Sequence, residues 1–117
     1  MKFVHHTSVT ISQSGDVVTF RDKLPGRAKR LTGIFLSANT NHATKALANV
    51  GVNFNGGRSL ITNQLLRIPA SDPVRKSYHF QVNQDIKQNS SVNGYIEDLG
   101  NASAFPYTVK IYYQLSD

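Results

Sequence analysis

Val50-Gly51-Val52-Asn53-Phe54-Asn55-Gly56-Gly57 carries the clearest structural instruction in the chain. Val50, Val52 and Phe54 alternate with Gly51, Asn53 and Asn55, a period of two that places three apolar side chains on one face of a strand. Asn55-Gly56-Gly57 then supplies residues that tolerate positive φ, which a tight hairpin requires. A return strand is expected from Ser59 to Ile68, closed by Pro69, Pro73 and the polar residues between them.

The same period recurs on both sides. Leu31 to Ser37 reads as a strand buried on both faces through its centre, which suggests a central position. Phe3 to Ser12 places Val9 and Ile11 on one face and is expected to turn at Ser14-Gly15-Asp16 into Val17-Val18-Thr19-Phe20 as a hairpin. Ala38 to Ala48 reads as a loop with up to one helical turn, in preference to a short helix begun at Asn39-Thr40-Asn41. Further on, Tyr78, Phe80 and Val82 alternate with His79, Gln81 and Asn83, and a polar linker runs from Gln84 to Ser90. Val92 to Ile96 reads as a strand with a bulge at Gly94, and Leu99 to Ala104 as a loop. Tyr107 to Leu115 turns Tyr107, Val109, Ile111, Tyr113 and Leu115 toward the core.

Eight such strands between short Gly, Asn and Pro loops predict an all-β fold, an antiparallel eight-stranded sandwich of jelly-roll type. Its core is expected to hold Val9, Ile34, Leu36, Val52, Phe54, Phe80, Val109 and Ile111. No helical pattern is long enough for a βαβ crossover and no internal repeat appears, which excludes parallel α/β folds, solenoids and blade arrays. The 117 residues, 39% of them hydrophobic, suit a single β-sandwich domain spanning residues 1–117. Cysteine is absent, so a disulfide framework, a thiolate metal site and a Cys nucleophile are excluded. No apolar run approaches the ~20 residues needed to span a bilayer. The start, Met1-Lys2-Phe3-Val4-His5-His6, turns polar too soon for a signal peptide, so a soluble, unprocessed chain is expected.

Groups able to do chemistry are scattered. His5 and His6 are adjacent, hence on opposite faces of a strand, and read as two edge-strand histidines and not as a ligand pair; His42 and His79 join no motif. Glu97 and Asp85 are the one carboxylate pair that a glycosidase reading would use, but Glu97-Asp98 at a strand end reads more simply as solvated carboxylates. Ser59 and Ser77 lack a nucleophile-elbow context, and no Ser, His and Asp are spaced as a triad. Asn55-Gly56-Gly57-Arg58-Ser59 has the glycines of a phosphate loop but lacks its lysine and following helix, so the hairpin reading wins. Neither enzymatic activity nor a cofactor nor a bound metal is expected.

Thirteen Lys+Arg against seven Asp+Glu give a net charge of +6, which favours polyanions or an acidic partner surface. Between Arg21 and Arg30 five cations, Arg21, Lys23, Arg27, Lys29 and Arg30, accompany the single acid Asp22 in a Pro-Gly loop. These five are the candidate interface or polyanion-binding residues, with nucleic acid or an acidic neighbouring subunit as the partner and a solvated loop as the plain alternative. No aromatic is interleaved there, which argues against base stacking. The ten asparagines and the cluster Tyr107, Tyr112 and Tyr113 raise a carbohydrate-binding reading, but only Tyr112 is expected to face outward, and one tyrosine makes a poor platform.

In order along the chain, Leu31-Thr32-Gly33-Ile34-Phe35-Leu36, Val50-Gly51-Val52-Asn53-Phe54-Asn55-Gly56 and Tyr107-Thr108-Val109-Lys110-Ile111-Tyr112-Tyr113 resemble small β-sandwich virion proteins of bacteriophages. Single jelly-roll penton and capsid-associated proteins are the nearest type. The resemblance covers most of the chain through its strand rhythm and carries over no site residue. It implies a non-enzymatic structural protein in the virion, a homo-oligomer such as a pentameric penton ring, in contact with other capsid proteins. A jelly roll suits that role because its loops and free sheet edges can meet symmetry mates. The competing reading is a stand-alone carbohydrate- or nucleic-acid-binding module.

Overall fold

The computed structural model describes residues 2–38, 47–66, 79–87, 90–102 and 105–117. Its strands are β1 (Lys2–Ile11), β2 (Val17–Lys23), β3 (Arg30–Ala38), β4 (Ala48–Phe54), β5 (Arg58–Leu66), β6 (His79–Asp85), β7 (Ser91–Asp98) and β8 (Tyr107–Ser116). Among the described residues they form two four-stranded antiparallel sheets, ordered β1-β8-β3-β6 and β2-β7-β4-β5. Apart from the β4–β5 pair, successive strands thus lie in opposite sheets, which is the jelly-roll arrangement the alternating pattern predicts. Of the expected loop Ala38 to Ala48, residues 39–46 lie outside the described residues while Ala38 ends β3 and Ala48 opens β4; Tyr78 and the connection through Pro69 and Pro73 also lie outside them.

The core follows from the period of two. On β8, Tyr107, Val109, Ile111, Tyr113 and Leu115 are buried while the residues between them are half-buried or exposed. Val52 and Phe54 meet them from the opposite sheet, beside Val50. Burying each such side chain contributes about 1.5–3 kcal/mol. Of the eight expected core residues seven are buried, and Phe80 is only partly so, packed against the cluster from edge strand β6.

Strand β3 is central, between β8 and β6. Its apolar continuity has a second cause, a bulge between Leu31 and Gly33 at which the register with both neighbours shifts. Strict alternation would turn Leu31 and Ile34 to opposite faces; the extra residue Thr32 restores both to the core, where each is fully buried. Thr32 Oγ1 donates to the Gln114 carbonyl at 3.2 Å.

The hairpin between β4 and β5 forms as expected. Asn55 (φ 53°) and Gly56 (φ 74°) occupy the left-handed region in succession, and the Gly57 N–H donates to the Phe54 carbonyl at 3.1 Å. Two other expectations are corrected. Ser14-Gly15-Asp16 does reverse the chain, but β1 pairs with β8 and β2 with β7, so the turn joins two sheets and not two strands of a hairpin. The turn is held from outside its own strands: the Gly15 N–H donates to Asp98 Oδ2 at 2.8 Å and the Asp98 N–H to the Asp16 carbonyl at 2.8 Å. Nor does β7 bulge at Gly94, since its register with β2 and β4 runs unbroken there. Gly94 serves close packing instead: a Cβ on it would lie 2.0 Å from the Gly51 carbonyl oxygen and 3.0 Å from the Phe20 ring.

Side chains tie the free edges of the sheets together. On one side His5 Nε2 lies 2.8 Å from Asp22 Oδ2, and Thr7 Oγ1 donates to the same oxygen, linking β1 to β2. On the other, an Arg58 N–H donates to Gln84 Oε1 at 2.5 Å, linking β5 to β6.

Candidate functional site

Of the five cations expected in one loop, Arg21 and Lys23 lie on one sheet, Arg30 on the other, and only Arg27 and Lys29 in the loop between them. Arg21 and Lys23 belong to β2, which continues through Lys23, and alternation puts both on its solvent face while Asp22 points inward. Arg30 opens β3, so the loop proper is residues 24–29. Two apolar residues pin it: Leu24 and Ala28 are buried, and the Leu24 N–H donates to the Ser90 carbonyl at 3.0 Å. A Pro25-Gly26-Arg27-Ala28 turn closes with the Ala28 N–H on the Pro25 carbonyl at 3.0 Å. Composition signalled the turn, but the pairing of β2 with β7 extended the strand into the basic stretch.

Each cation consequently has its own setting. The Arg27 guanidinium sits 4.1 Å above the Phe3 ring centre, a cation–π contact that holds the turn against β1. Lys29 is exposed, while its backbone joins both sheet neighbours: its N–H donates to the Ser116 carbonyl and its carbonyl accepts from Ile86, each at 2.8 Å. Arg30 reaches across to β6, 2.9 Å from Asp85 Oδ1, and donates to Asn83 Oδ1. Arg21 faces a small polar cleft beside the β4–β5 hairpin.

Among the described residues the other groups considered for chemistry do not converge; His42 and Ser77 lie outside them. Asp85, paired with Arg30, lies on the outer face of one sheet, whereas Glu97 shares the outer face of the other with its register partner Val17. His5 and His6 do take opposite faces of an edge strand: His5 stacks on the buried Tyr113 at 6.1 Å and His6 packs against Tyr112 at 5.8 Å. Among the described residues no three His, Cys, Asp or Glu are placed to hold a metal ion. Tyr112 is the outward tyrosine of its cluster, and Tyr107 and Tyr113 are buried.

Asp98 departs from the reading of a solvated strand end. It is buried, accepting the Tyr107 hydroxyl at Oδ1 and the N–H groups of Gly15 and Gly100 at Oδ2, the latter at 3.0 Å. Burial pushes the Tyr107 phenol well above its ordinary value, reinforced by its hydrogen bond to Asp98 and by that carboxylate's charge. The adjacency Glu97-Asp98 contained the only available signal, since alternation turns one of any two neighbours inward.

No family model and no curated protein matches the chain. Among solved structures it resembles a chain of the cyanophage Pam1 capsid asymmetric unit, with 14% identity and a TM-score of 0.56 over 97% of this chain and 83% of that one. A chain of the acid-stable capsid of Helicobacter pylori bacteriophage KHP30 aligns over 94% of both chains at 14% identity, with a TM-score of 0.40. A chain of infectious bursal disease virus, Gx strain, aligns at 11% identity and a TM-score of 0.40, over 99% of this chain and 37% of that one. The class defined here is the single jelly roll. Within it, the likeness to the cyanophage capsid chain is one of fold.

Proposed function

We propose that the chain is a non-enzymatic structural protein of a bacteriophage virion, assembling with copies of itself and with other capsid proteins. The observation that carries this reading is the jelly roll β1-β8-β3-β6 over β2-β7-β4-β5, shared along nearly the whole chain with the cyanophage Pam1 capsid chain. The surface supports assembly through sheet edges. Val4, Val17 and Leu65, which are 60%, 58% and 46% exposed, lie on β1, β2 and β5, each at an edge of its sheet. Unpaired strand edges bearing apolar side chains are surfaces that a neighbouring copy covers. A head-to-tail contact of the β1/β2 side with the β5/β6 side of the next copy closes into a ring, with a five-membered penton ring as the proposed form. Arg27, Lys29 and Arg30, where the chain passes between the two sheets, meet an acidic face of a different capsid protein in this scheme.

Particles purified by density gradient from a culture that carries the gene are expected to contain the chain in fixed stoichiometry by mass spectrometry. The purified chain is expected to scatter light as a whole-number oligomer, five copies for a penton. Recovery of the chain only as a free monomer, never in particles, overturns the proposal. Tight binding of a glycan by such a monomer would favour the stand-alone module instead.

A further inference from the structure

Arg21, Asn55, Gly56, Ser91 and Asn93 line a cleft of about 130 Å3 on the outer face of the β2-β7-β4-β5 sheet. Its polarity is set by two amides. Asn55 Oδ1 accepts the Ser91 N–H at 2.9 Å, and Asn93 Oδ1 accepts the Gly56 N–H at 3.0 Å. A backbone N–H must face an acceptor, so both amides are fixed with oxygen toward the backbone, and the group each retains is an NH2 donor. Arg21 adds a guanidinium and Ser91 a hydroxyl. Lys23, exposed on the same face of β2 as Arg21 and the register partner of Ser91, brings a second positive charge to the rim. Among the described residues no carboxylate lines the cleft, and Asp22 points to the opposite face of β2, toward His5 and Thr7.

We infer that this cleft is a phosphate-binding site, taking a phosphodiester of a nucleic acid strand or a free phosphate. A lining rich in donors and positive charge selects an acceptor-rich oxyanion. An acidic face of a second copy is a poorer occupant: the chain has seven Asp+Glu against thirteen Lys+Arg, and Asp22, Asp85 and Asp98 are already engaged within it. The inference stands on the cleft and does not depend on the capsid reading.

The test uses the isolated chain, so its failure is distinct from failure to find the chain in particles. Inorganic phosphate, titrated into the 15N-labelled protein, is expected to shift the amide resonances of Gly56, Ser91 and Asn93. A fluorescent single-stranded oligonucleotide is expected to bind with strong salt dependence and shift the same amides. Binding by phosphate alone assigns the site to the free anion and also supports the inference. Arg21→Gln is expected to weaken phosphate binding about tenfold with the melting temperature unchanged. Lys110→Gln, which removes the same charge from the other sheet, is expected to leave it intact. Absence of shifts at the cleft with phosphate overturns the inference, as does an equal loss in both variants. Displacement of phosphate by polyglutamate as readily as by the oligonucleotide overturns it in favour of an acidic protein partner.

Discussion

The hydroxyl of Tyr107, the first residue of β8, donates to the carboxylate of Asp98, the last residue of β7, and both side chains are buried. Asp98 Oδ2 holds Gly15 and Gly100 at the same time, so one carboxylate ties together the β1–β2 turn, the end of β7 and the start of β8. Asp98→Ala leaves all three donors without their acceptor and, at about 1–3 kcal/mol for each buried donor left unsatisfied, is expected to cost more than about 3 kcal/mol. Tyr107→Phe removes one bond from a carboxylate that keeps two others, and about 1–3 kcal/mol is expected. Urea unfolding of the two variants checks the order; equal losses would refute it.

Alkaline pH tests the same region. Tyr107 and Tyr113 both hold their protons well above the ordinary tyrosine value, Tyr113 through burial first and the nearby Asp22 charge in addition. A folded pKa raised above the unfolded one contributes stability that is fully present below the unfolded value, about 10, and is lost as pH rises beyond it. The melting temperature is therefore expected to fall above about pH 10. Absorbance at 295 nm should lack these phenolates until the chain unfolds, and Tyr107→Phe with Tyr113→Phe should remove that late step.

Gly51 and Gly94 lie diagonally across β4 and β7, Gly51 paired with Tyr95 and Gly94 with Val52, and differ in what an added methyl would strike. At Gly94 the obstacle is the Gly51 backbone at 2.0 Å, which cannot yield without opening the ladder; at Gly51 it is the Tyr95 ring at 2.3 Å, on the outer face. Gly94→Ala is expected to destabilise by more than about 3 kcal/mol, in the upper range for overpacking, and Gly51→Ala by less. Adding Tyr95→Ala should recover part of the loss in Gly51→Ala and none in Gly94→Ala, as thermal melts of the double variants would show.

Replacing Arg27, Lys29 and Arg30 together by Ala is expected to reduce particle yield, with a larger effect at low salt, where screening over the ~10 Å length at 0.1 M is relaxed. The fold should persist, because the Arg30–Asp85 pair is solvent-exposed and such pairs contribute about 0–1 kcal/mol. Wild-type particle yield at every ionic strength would show the segment to be a solvated turn.

Strand positions and facing were legible in the residues themselves. Alternation placed Val109 and Ile111 inside and Tyr112 outside, and Asn55-Gly56 announced its hairpin, because side-chain direction in a strand and tolerance of positive φ are local properties. Pairing is not local. Nothing in Ser14-Gly15-Asp16 says that β1 joins β8 while β2 joins β7, since a turn sets where the chain reverses and the apolar faces far along the sequence decide which ladder each strand enters. The same reason separated the five cations, buried Asp98, and brought Asn55 and Asn93 beside Arg21 from three different strands and turns. By itself the sequence determined an all-β chain with a positive surface and a known set of inward residues. Only tertiary structure decided which polar groups lie within reach of one another, because those distances depend on strand order, and strand order is settled by burial of the core as a whole.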